Sequence, residues 1–83
     1  MHLFHKQIKV NGLVYAFRFH PVASPLNNKY FVQGEATGAT PIAFEITKGN
    51  KGKWHIIPPA PSWVFTIEEQ LTAVILEHRG KKA

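Results

Sequence analysis

The sequence predicts an α+β fold: a curled, five-stranded antiparallel β-meander with one C-terminal α-helix packed on its apolar face. Three observations carry this reading. Asn11-Gly12, the preferred pair for a tight type I′ turn, stands between two runs of alternating apolar and polar residues. Turn-forming clusters at 37–41 and 48–52 then cut the following stretch into pieces of strand length. Beyond Pro61 the apolar period changes from two residues to nearly four.

The first hairpin is the most strongly specified element. A two-residue turn fixes register, so Val10 pairs with Leu13, Ile8 with Tyr15, Lys6 with Phe17 and Phe4 with Phe19. Phe4, Ile8, Val10, Leu13, Tyr15, Phe17 and Phe19 share one face. His5, Gln7, Lys9, Ala16, Arg18 and His20 share the other, with Leu3 and Val14 as apolar exceptions. Lys6 falls on the apolar face of an edge strand, where an inward lysine guards against edge-to-edge pairing.

A third strand is expected over residues 30–36, with Tyr30 and Val32 inward and Gln33 and Glu35 outward. A fourth covers 42–47, with Ile42, Phe44 and Ile46 inward. A fifth covers 53–57, with Trp54 and Ile56 inward, and Pro58-Pro59 ends it. Glu45 is expected opposite His55. The helix follows from Ile67, Leu71, Val74, Ile75 and His78, which fall on one α-helical face. Thr66 with Glu69 fits a capping box, and Gly80 suits the residue just past the helix. Trp63 and Val64 extend the stripe toward Ser62, although the run Val64-Phe65-Thr66 disfavours an earlier start.

One helix covers about 10 Å of a sheet about 20 Å wide. Something else must cover the remaining apolar face. Curling of the sheet, the Pro-rich segment with Trp63 and Phe65, and a second subunit are the alternatives. The last makes a homodimer or protein partner an expectation, with Phe4, Phe17, Phe19 and Trp63 as interaction residues.

Composition narrows the function. Eighty-three residues suffice for one domain, 1–83, with no linker or repeat. The absence of cysteine excludes disulfides, thiolate metal sites and a cysteine nucleophile. No apolar run approaches the roughly 18 residues of a membrane span. The opening MHLFHKQIKV lacks the apolar core of a signal peptide, so a cytoplasmic protein with no membrane partner is expected.

Ten Lys and Arg against five Glu give a formal charge of +5. Strand order distributes them unevenly. If the Asn11-Gly12 turn marks the top, the 48–52 turn lies at the bottom, and a helix running back down ends there too. Lys29, Lys48, Lys51, Lys53, Arg79, Lys81 and Lys82 then gather at one end, near His20, while Glu68 and Glu69 stay near the top. Such a pole suits low-specificity contact with nucleic-acid phosphates. It equally suits the helix dipole and solubility.

Catalysis finds little support. Gly49-Asn50-Lys51-Gly52-Lys53 lacks the spacing of a phosphate loop and reads as a hairpin turn. Ser24 and Ser62 sit in proline-rich turns without a nucleophile context, and the adjacent Glu68 and Glu69 diverge by about 100° on a helix. The five histidines have no metal-ligand spacing, so neither metal nor cofactor is expected. On the outward sheet face only Phe31 offers an aromatic on which a base could stack, and a partly buried edge contact beside the 21–29 loop accounts for it better. The sequence therefore describes a small non-catalytic binding domain, with nucleic-acid contact through the basic pole as the leading expectation and a protein–protein or homodimer module as the alternative.

Overall fold

The computed structural model describes residues 3–23, 28–49 and 51–80. Five antiparallel strands form one sheet in the order β1-β2-β3-β4-β5: β1 (Phe4–Val10), β2 (Leu13–Pro21), β3 (Lys29–Glu35), β4 (Ile42–Lys48) and β5 (Trp54–Ile57). A 3-10 helix (Ser62–Ile67) leads directly into α1 (Glu68–Gly80). The sheet is open, since β1 and β5 do not pair.

The first hairpin has the register dictated by its turn: Phe4 opposite Phe19, Lys6 opposite Phe17 and Ile8 opposite Tyr15. Asn11 and Gly12 have φ of 51° and 82°, the two left-handed residues that a type I′ turn requires. The β4–β5 register departs from expectation. Glu45 faces Ile57, and His55 faces Thr47. The connecting turn closes where Gly49 N–H donates to the Lys53 carbonyl (2.8 Å), which leaves Lys53 outside β5 and slides the strand by two residues.

The helical segment starts earlier than the capping box implies. Residues 62–67 are 3-10 helical after Pro61, and the Thr66 hydroxyl donates back to the Trp63 carbonyl (2.6 Å) instead of capping α1. A hydroxyl that finds a carbonyl three residues back is a local alternative to the N-cap role. Gly80 is the last helical residue rather than the one beyond it.

The apolar face is covered by the chain itself. Phe17, Phe19, Val32 and Ile46 in the sheet meet Val64, Leu71 and Ile75 from the helical segment, and all seven are fully buried. Cover beyond the width of α1 comes from the 3-10 helix, with Val64 buried and Trp63 tilted on Tyr15 at 4.9 Å, rather than from barrel closure. At the other end Phe4 lies between two rings, Phe19 at 4.8 Å and His78 at 3.9 Å, both nearly parallel to it.

Both sheet edges are guarded. Lys6 is exposed on the helix-side face of the edge strand β1. On β5, the outward-facing Ile56 N–H donates to the Glu68 carboxylate (2.8 Å), which occupies a site where another strand would pair.

Candidate nucleic-acid interface

Strand order and register carry the cations to one end of the molecule. Lys29 begins β3 and pairs with Thr47; Lys48 ends β4 and pairs with Trp54. Lys51 and Lys53 lie in the turn joining β4 to β5, and Arg79 is in the last turn of α1. That helix end lies at the same pole, because the Arg79 guanidinium sits 5.3 Å from the Trp54 ring. Lys81 and Lys82 lie outside the described residues.

The pole is tied together by backbone. The Asn28 carbonyl accepts from Lys48 N–H (2.9 Å) and from the Thr47 hydroxyl (3.0 Å), joining the start of β3 to the end of β4. Gly52, with φ of 82°, makes the turn, and its N–H donates to the Gly49 carbonyl (3.0 Å). This is the hairpin turn expected from 48–52, and it presents exposed Lys48, Lys51 and Lys53 on a braced backbone.

The cations are not equivalent. Among the described residues, Lys48, Lys51 and Lys53 pair with no carboxylate. Lys29 lies 3.8 Å from Glu45, both partly exposed, a surface pair worth about 0–1 kcal/mol. Arg79 is half-buried, stacks on Trp54 and donates to the Tyr30 hydroxyl (3.3 Å). Its guanidinium fastens the end of α1 to β3 and β5, which sequence reasoning missed. The aromatic pair Tyr30 and Trp54, both inward at the bottom of the sheet, was the available signal.

The carboxylates Glu68 and Glu69 do not stay at the far end. Because β5 has only four residues, α1 begins beside it rather than above it. Glu68, Glu69, Thr72 and Leu76 line one side of a shallow hollow of about 250 Å³, with Lys53 and Trp54 on the other. Glu68 and Glu69 therefore offset part of the positive charge on the α1 side of the turn.

That uncovered side displays His5, Lys9, Arg18, Phe31, Glu35 and His55, all exposed. Phe31 lies on the central strand, not at an edge. It faces His20 on β2 and Glu45 on β4 and is 36% exposed. The His20 ring leans on it at 6.1 Å, and His20 Nε2–H donates to Gln33 Oε1 (2.8 Å).

Of the four residues expected to bind a second subunit, two are fully buried within the fold. Phe17 and Phe19 have no exposed surface and cannot form an interface, because α1 and the 3-10 helix already cover them. Phe4, stacked between Phe19 and His78, and Trp63, a lid over Tyr15, are both half-buried. The large apolar side chains left exposed (Leu3, Leu13, Val14, Phe31, Phe65 and Leu76) are spread over different elements.

Among the described residues no three His or Glu side chains converge in a metal-binding arrangement, and no polar side chain is buried. No helix is long and apolar enough to cross a membrane. Compared with protein-family models, curated proteins and solved structures, the chain finds no match.

Proposed function

We propose that this protein is a small non-catalytic binding domain that contacts nucleic acid with low sequence specificity through its basic end. The observation that carries this reading is the braced turn holding Lys48, Lys51 and Lys53 exposed and, among the described residues, without carboxylate partners, next to Lys29. Three ammonium groups on a short turn match the repeating charge of a phosphate backbone. Lysine is a flexible point charge, so these contacts position a strand without reading base edges. Arg79 serves the fold, and Lys29 shares its charge with Glu45, so the turn lysines carry most of the phosphate contact.

The test is affinity for a fluorescein-labelled oligodeoxythymidylate of about 15 nucleotides across a salt series. With three or four phosphates neutralised, log Kd should change linearly with log salt, with a slope of magnitude about 2–3. Absence of binding at about 50 mM salt, or binding indifferent to salt, contradicts the reading.

A further inference from the structure

We infer that the ligand of this surface is a single strand, not a duplex, and that one of its bases stacks on Phe31 at the open face of the sheet. This inference rests on the phosphate-binding reading of the basic end and adds to it the class of nucleic acid recognised.

Its basis is the position and surroundings of Phe31. A phenylalanine 36% exposed at the centre of a sheet face that no helix covers is an unfilled apolar contact. Its ring is held from the side by His20, which Gln33 anchors. It is therefore a pre-set surface that loses little freedom when a flat group lands on it. Lys29 precedes it by two residues on the same face, and Arg18 is opposite Gln33 in the next row up. Lys29, Thr47 and His55 form the row below. By strand rise and strand spacing, Phe31 is roughly 15 Å from the 48–53 turn, a span of a few nucleotides.

Charge selects the occupant. Phe31 is flanked by Lys29, Arg18, His20 and His55, with the Glu45 carboxylate beside it drawn to Lys29 at 3.8 Å, so the surroundings of the ring are more cationic than anionic. A single strand offers both what the ring wants and what the cations want. Its unpaired bases have free π-faces, and its phosphates follow every base. A duplex keeps its bases stacked internally and can use only the lysines. Stacking and phosphate contact involve neither sugar hydroxyl nor base edge, so oligodeoxythymidylate and oligouridylate should bind alike.

Phe31→Ala and Phe31→Tyr separate this idea from the broader one. Both sit on an exposed position, and thermal melts check that each remains folded. Phe31→Ala should weaken binding of oligodeoxythymidylate and oligouridylate by about tenfold. It should leave binding of heparin and of a duplex of equal length within about twofold, and Phe31→Tyr should restore single-strand affinity. Wild-type protein should favour the single strand over the duplex. If heparin and duplex bind with the expected salt dependence but Phe31→Ala leaves single-strand binding unchanged, the stacking inference is wrong and the basic-end reading survives. Equal loss for all ligands makes Phe31 merely structural and also overturns it. Failure of every polyanion to bind removes both.

Discussion

Gly34→Val is expected to be the most destabilising single substitution at an otherwise inconspicuous position. Gly34 lies on the core face of β3 opposite Phe17, whose ring is fully buried and lies over the glycine. A Cβ at Gly34 would fall 2.8 Å from Phe17 Cε1 and 3.1 Å from Ile42 Cγ1. Phe17 has little room to retreat, because it also meets Tyr15 and Phe44. Overpacking of this kind costs about 1–3 kcal/mol. A domain of this length is held by only about 4–12 kcal/mol, at 0.05–0.15 kcal/mol per residue. Denaturant melts should show a much lower midpoint, with a fall in Tm on the order of 10 °C. Gly80→Ala is the contrast: nothing lies within 4 Å of its Cβ, and alanine in a helix is favoured by about 1 kcal/mol. Equal midpoints for Gly34→Val and wild type would mean that Phe17 does not pack on β3 in this way.

Reversing the three turn lysines together, Lys48→Glu, Lys51→Glu and Lys53→Glu, is expected to abolish polyanion binding while leaving the fold intact. All three side chains are exposed, and the bonds that close the turn are made by the backbone of Asn28, Lys48, Gly49, Gly52 and Lys53. Surface substitutions of this kind change stability by less than about 0.5 kcal/mol each. Each reversal removes two units of charge, so three take the formal net charge from +5 to −1. Loss of three phosphate contacts, with repulsion in their place, should lower affinity by at least about a hundredfold at 0.1 M salt. A double reversal of Lys6 and Lys9, both exposed on β1, removes four of those six units of charge but leaves the turn untouched. It should weaken binding far less. Equal losses from the two sets would mean that net charge alone drives association and that the turn is not a site.

The parts of this fold that were legible in the sequence are those where local chemistry leaves one answer. Asn11-Gly12 admits a two-residue turn, so every pairing of β1 with β2 followed by counting, as did the end of the sheet at which Lys29, Lys48, Lys51 and Lys53 lie. The 48–53 turn has three lysines, two glycines and no such rule. Its Gly49–Lys53 bond set a register two residues from the expected one and separated Glu45 from His55. The start of the helical segment was blurred for a related reason. Val64 and Thr66 are β-branched, the chain takes the tighter 3-10 form there, and Thr66 satisfies itself on Trp63.

The candidate site was legible in its backbone and less so in its side chains. Counting strands placed Lys29, Lys48, Lys51, Lys53 and Arg79 at one end. It could not foresee that Arg79 would be spent on Trp54 and Tyr30, or that a short β5 would bring Glu68 and Glu69 beside Lys53. Phe31 was expected as a partly buried contact beside the 21–29 loop, and it is instead exposed on the outward face of β3 between His20 and Glu45. Three covers were open for the part of the sheet that one helix leaves bare: curling of the sheet, the segment with Trp63 and Phe65, and a second subunit on residues such as Phe17 and Phe19. The 3-10 helix, with Val64 and Trp63, supplied the difference.

The most direct test is amide chemical-shift mapping of the isotopically labelled protein during titration with an oligodeoxythymidylate of about 15 nucleotides. Shifts concentrated at residues 28–33 and 47–55, with the Asn11-Gly12 turn and residues 36–41 unmoved, are the predicted result. Shifts centred on the Asn11-Gly12 end, or spread evenly over the molecule, would contradict the claim that strand order has built one phosphate-binding pole.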